Sequence, residues 1–103
     1  MKTTEIKNVP IAPNPHGVDV RKFYDSGKVL ATHITLQPGE QIKKHSAPVD
    51  VFFYVLEGTG TIEMGDESQE VKSDTIIESK AGAEHCWYNK SSEKLRIMAV
   101  KMA

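Results

Sequence analysis

Eight short β-prone runs, VDVRKFY, KVLATHITL, VFFYVLE, GTIEM, SQEVK, TIIES, HCWYN and LRIMAVK, account for most of the chain after residue 17. Between them lie Asp25-Ser26-Gly27, Pro38-Gly39, Gly65-Asp66, Ala81-Gly82 and Asn89-Lys90-Ser91, each supplying a Gly, Pro, Asn or Asp where the backbone must reverse. No stretch carries a long 3.6-residue apolar period, so helices do not organise the core. Strands of this length and spacing build an all-β sandwich or barrel.

The 103 residues are enough for one domain and one core. Thirteen Lys plus Arg stand against fourteen Asp plus Glu, a net charge of -1, so no basic field draws in nucleic acid or an anionic membrane surface. The single cysteine, Cys86, excludes an internal disulfide and a CxxC redox or zinc motif. With no apolar amino-terminal segment and no run of about 18 apolar residues, nothing points to export or membrane spanning. The expectation is a cytoplasmic protein.

Two parts are expected. Residues 1–17 carry Pro10, Pro13 and Pro15 in VPIAPNPHG, which opposes a helix and interrupts ladder pairing, and are read as an extended arm with an exposed His16. Residues 18–103 form the β domain. Phe52 to Leu56 and Leu95 to Met102 are apolar at both parities, which suits strands covered on both faces. A small domain has little of its own to cover the outer face, so a homodimer is expected, with the arm folding over that face as the alternative.

Two segments, PGEQIKKHSAPVDVFFYVLEG (Pro38 to Gly58) and SDTIIESKAGAEHCWYN (Ser73 to Asn89), resemble the two motifs of the cupin superfamily. Gly39 is followed after five residues by His45, and Phe53 to Gly58 closes the first motif in register. Gly82, His85 and Asn89 match the second. The resemblance implies a jelly-roll-like double-stranded β-helix barrel. It also implies a divalent transition metal (Zn, Fe, Mn or Ni) held by His45 and His85. Two of the four ligand positions usual in the family are replaced, the second histidine by Ala47 and the glutamate by Val51. Ser73 or Asp74 stands at the second motif's opening glycine, and Lys80 at its turn proline.

Within that frame, side-chain alternation along a strand turns Val51, Phe53 and Val55 to one face, and His85, Trp87 and Asn89 to one face of another. The expected pocket is lined by Ala47, Val51, Phe53, Val55, Trp87 and Asn89 around the two histidines. Two imidazoles fall short of the three or four ligands a transition metal takes from protein. The candidate third donors are Asp50, which needs a bulge to reach the inner face, and His33 on the preceding run. Against these stand plainer roles: Asp50 at a solvated rim, His33 as a surface or hydrogen-bonded core residue, and the histidine pair as neutral core groups bonded to each other or to water. Trp87 is either core filler or a stacking platform, and Cys86 a small buried hydrophobe facing away from His85.

Three functional readings follow. The first is an apolar pocket that binds a small molecule, with or without a metal on His45 and His85. The second is a metal-dependent enzyme of dioxygenase, decarboxylase or isomerase type, acting on a small carbonyl, carboxylate or phenolic compound. The third is a structural or interaction subunit. Whether the chain is an enzyme is left open by the residues, because one fold hosts many chemistries.

Overall fold

The turn residues divide the chain into nine strands in the computed structural model, which describes residues 1–103. They are β1 (Asp19–Asp25), β2 (Val29–Leu36), β3 (Gln41–His45), β4 (Asp50–Glu57), β5 (Thr59–Met64), β6 (Glu67–Lys72), β7 (Ile76–Ser79), β8 (His85–Tyr88) and β9 (Leu95–Met102). There is no α-helix. One 3-10 turn at Ile6–Asn8 precedes the prolines of the arm, which is therefore not extended throughout.

One strand has no apolar run to announce it. In β3 only Ile42 is buried, and its strand conformation depends on antiparallel pairing with β8. Local composition carries little strand signal there because the stabilising contacts are long-range.

The strands form two antiparallel sheets, ordered β1-β2-β9-β4-β7 and β3-β8-β5-β6. They face one another without sharing a hydrogen-bonded ladder. The architecture is thus a two-sheet jelly roll of the double-stranded β-helix type, not a barrel closed by continuous pairing. The core lies between the inner faces. Val51, Phe53 and Val55 of β4 are buried while Phe52, Tyr54 and Leu56 are only partly so, the alternation expected of a strand with one face on the core. On β9 the buried row is Leu95, Ile97 and Ala99, and the next residue of that parity is Lys101.

Two turns explain motif positions that look like departures or constraints. Asp74, at the place of the second motif's opening glycine, has φ 64°, the left-handed region that glycine takes without strain. An aspartate tolerates that conformation better than most residues, and its Oδ1 accepts a 2.6 Å hydrogen bond from the Tyr54 hydroxyl. Gly58 closes the first motif with φ 88°, and a Cβ there would run into the Lys94 carbonyl oxygen. Both its conformation and its close backbone neighbour demand glycine.

The arm is fastened to the sheets rather than free. Asn14 Nδ2 donates to the carbonyls of Ala12 and Val18, while its Oδ1 accepts from the His16 and Val18 amides. Arg21 Nη1 donates to the carbonyls of Ile6 and Val9. The Asn14 bonds fold the proline-rich segment on itself, and the Arg21 bonds tie it to β1.

Candidate functional site

A cavity of about 210 Å³ lies between the sheets, somewhat below the roughly 300 Å³ at which drug-sized ligand pockets begin. Its walls are mainly apolar: Thr32 and Ile34 come from β2, Val51 and Phe53 from β4, and Trp87 from β8. Ala99 and Lys101 of β9 complete one side, and Asn14, Pro15 and His16 of the arm complete another.

The two histidines meet because β3 and β8 pair with His45 opposite His85, after a register shift between Ile42 and His45. Residues opposite one another in an antiparallel ladder present their side chains to the same face. Their Nε2 atoms are 3.3 Å apart, with the rings nearly perpendicular at 80°. The surrounding acceptors assign the protons. His45 Nδ1 lies 2.9 Å from the Lys43 carbonyl, which can only accept, so Nδ1 carries the hydrogen and Nε2 the lone pair. His85 Nε2–H then donates to His45, and His85 Nδ1 accepts from the Ser79 hydroxyl at 3.0 Å. A hydrogen-bonded chain runs from Ser79 through both imidazoles to the backbone of Lys43, every member satisfied.

Burial, followed by the nearby His45 and Lys101, pushes the pKa of His85 down to about 4. At neutral pH this imidazole is uncharged. His16 joins the group from the arm: its Nδ1 accepts from the Lys43 amide at 3.0 Å, and its ring centre is 5.6 Å from that of His45. Its pKa is lowered as well, by burial first and then by His45 and Lys43. The expectation of an exposed His16 is therefore corrected: the arm folds back, and the ring is half-buried in the cavity wall.

The other sequence candidates lie as follows. Val51, Phe53 and Trp87 line the cavity, with Phe53 edge-on to both His85 and Trp87. Ala47, Val55 and Asn89 are buried but do not line it; Ala47 and Val55 belong to the packed core. Asn89 is spent on a loop, its Nδ2 donating to the carbonyls of Leu36 and Glu93 and its Oδ1 accepting from Ser91. Asp50 is exposed and caps the Ala81 amide at 2.8 Å. His33 sits at the opposite parity to the cavity-lining Thr32 and Ile34, where it accepts from Arg96 Nε at 3.2 Å. Neither reaches the histidine pair. Cys86 is turned toward Glu63 and Tyr88 on the face away from His85.

Of the cavity residues outside the sequence candidates, two are ionisable, Lys101 and His16. Lys101 carries a signal that could have found it, the two-residue period that it shares with Ile97 and Ala99. His16 had no such signal, because the path of a proline-rich arm depends on contacts outside itself.

The donor set bears on a metal. Two imidazole nitrogens bound to one tetrahedral zinc at about 2.0–2.1 Å would stand roughly 3.3–3.4 Å apart, which the observed spacing matches. Yet no three or more histidine, cysteine, aspartate or glutamate side chains gather around one point. Ala47 and Val51, at the family's other two ligand positions, have no donor to offer. The residues supply half of a usual ligand set and do not complete a metal site.

A sequence model of the family described as Cupin domain matches residues 32–101. The chain belongs to the cupin family. No curated protein matches it significantly. Solved structures extend the likeness. A protein from Thermus thermophilus is 24% identical, with 99% of this chain and 97% of that one covered and a TM-score of 0.84. A predicted oxalate decarboxylase from Thermotoga maritima is 18% identical, with 98% of each chain covered and a TM-score of 0.87. The polyketide cyclase RemF from Streptomyces resistomycificus is 21% identical over 99% of this chain and 79% of that one, with a TM-score of 0.85. At these identities the likeness establishes the cupin fold and leaves the chemistry to the residues of the site.

Proposed function

We propose that this cupin binds a small molecule between its sheets, with the apolar body of the ligand against Phe53 and Trp87 and its polar end at His45 and His85. The observation that carries this reading is a hydrogen-bonded histidine pair set in a cavity otherwise walled mainly by apolar side chains. Such a combination, apolar walls with a few fixed polar groups, is what orients a small ligand. The two Nε2 atoms bond to each other, so a ligand's polar group engages the pair by replacing that bond, while Ser79 and the Lys43 carbonyl hold the rings in place.

A panel of compact aromatic and aliphatic compounds, screened by thermal denaturation, tests this. A ligand present at about 100 times its Kd stabilises the fold by about 2.7 kcal/mol. Ala99→Leu, which extends into the cavity, is expected to abolish that gain at an overpacking cost of about 1–3 kcal/mol, with the β-sheet circular dichroism retained. A gain that persists in Ala99→Leu would locate binding elsewhere.

The second reading, a metal-dependent enzyme of dioxygenase, decarboxylase or isomerase type, is favoured by the 3.3 Å nitrogen spacing alone. It needs a third donor from water or substrate. Elemental analysis of tag-free protein is its test: stoichiometric Zn, Fe, Mn or Ni, lost in His85→Ala, would support it. Sub-stoichiometric metal that does not respond to His45→Ala or His85→Ala would remove it.

We further propose that a second copy of the chain covers the outer face of the five-stranded sheet, where Phe52, Tyr54, Met98 and Val100 are only partly buried. Analytical ultracentrifugation reads this directly, and a monomer at micromolar concentration would end it.

A further inference from the structure

The ionisable groups lining the cavity are all bases. Lys101 lines it together with His16, His45 and His85, and no aspartate or glutamate does. Lys101 is partly buried at the end of the inner row that Leu95, Ile97 and Ala99 begin, where a lysine is stabilised by whatever answers its charge. Nothing in the chain does. The three ion pairs are Lys7–Glu5, Arg21–Asp19 and Arg96–Glu57, and Lys101 takes part in none. A lysine in the cavity lining without a carboxylate partner offers a place for an anion that the protein does not itself supply.

We propose that the cavity selects an organic carboxylate on a compact apolar body, and that Lys101 provides its counter-charge. The proposal rests on the small-molecule reading above and names the class of ligand. Lys101 ends the inner row of β9 and lines the cavity together with His45 and His85, so a carboxylate between it and the histidine pair leaves the apolar remainder facing Val51, Phe53 and Trp87. A phosphate monoester fits less well. A dianion is held best by several charged donors, and the cavity lining contains one lysine and no arginine. A bound carboxylate also makes the arm a specificity element, since the Asn14 bonds and the Lys43 amide fix His16 at the cavity wall.

Calorimetric titration of the full chain with matched pairs of probes tests the inference: benzoate against benzamide, isovalerate against isovaleramide, with phenyl phosphate alongside. The acids are expected to bind at least about tenfold more tightly than the amides. Lys101→Met and Lys101→Gln are both measured, so that the outcome does not depend on one replacement folding well. Each is expected to erase the preference, and Lys101→Arg to keep it. Equal binding of acid and amide overturns the inference and leaves the small-molecule reading standing, as does a preference for acids that survives both neutral replacements. Tighter binding of phenyl phosphate than of benzoate overturns the carboxylate assignment. Failure of both members of every pair to bind removes the small-molecule reading and the inference with it.

Discussion

Replacing Trp87 by alanine is expected to remove about 3–5 kcal/mol of folding stability, a large part of the roughly 5–15 kcal/mol available to a domain. The indole is completely buried and is the largest such side chain in the protein. It packs edge-on against Phe53 with ring centres 5.5 Å apart, and its six-membered ring lies so close to Gly60 that a Cβ there would meet it at 2.8 Å. Both sheets depend on it: β8 carries the side chain, and Phe53 of β4 and Leu95 of β9 crowd the same space. Its Nε1 has no hydrogen-bond partner, so Trp87→Phe loses packing volume but no hydrogen bond and is expected to cost distinctly less. Urea denaturation of the two variants reads the difference as a shift in midpoint at unchanged slope. A loss below about 1 kcal/mol for Trp87→Ala would mean that the sheets do not depend on this residue for their contact.

Acidification is expected to destabilise the fold between pH 6.5 and about 4, with His85 as the principal cause. Its folded-state pKa of about 4 lies below the ordinary histidine value of 6.5, because burial, His45 and Lys101 all disfavour the imidazolium. Within that window the unfolded chain binds a proton that the folded chain does not, so protonation favours unfolding. The stabilisation is whole above pH 6.5 and is lost as the pH falls toward the folded-state value, amounting to about 2–3 kcal/mol by pH 4.5. His33, lowered by burial and then by Arg96, and His16 act in the same direction. Denaturation of the wild type and of His85→Gln at pH 7 and pH 4.5 isolates the contribution, since carboxylates that titrate near the lower pH affect both proteins. The wild type is expected to lose more stability than the variant. Equal losses would show that His85 is not held neutral by its site.

Much of the fold was legible because its signals are local. The run Val51 to Leu56 declares a strand though it is apolar at both parities, and the motif register, with Val51 at a ligand position, picks out Val51, Phe53 and Val55 as the row that the structure buries. Turn residues marked the reversals. β3 was not legible, since QIKKH holds one buried apolar residue and takes its conformation from β8. Motif spacing pointed to His45 and His85, but alternation alone assigned Asn89 to the pocket, when the strand ends at Tyr88 and the asparagine serves the loop beyond. Asp50 and His33 carry the right chemistry for a ligand, yet an amide of the Lys80–Ala81 peptide takes the first and Arg96 the second.

By itself the order of residues determined the all-β architecture, the single core and the identity of the two histidines, because alternation, turn chemistry and spacing act over a few residues. Only the tertiary structure decided that a 3.3 Å hydrogen bond joins His45 and His85, that the arm brings His16 to the same wall, and that Lys101 stands there without a carboxylate. Those facts depend on the register of β3 with β8 and on the folding back of a proline-rich arm, contacts between residues far apart in the chain. Energies of that kind belong to pairs of segments and leave no mark in either one.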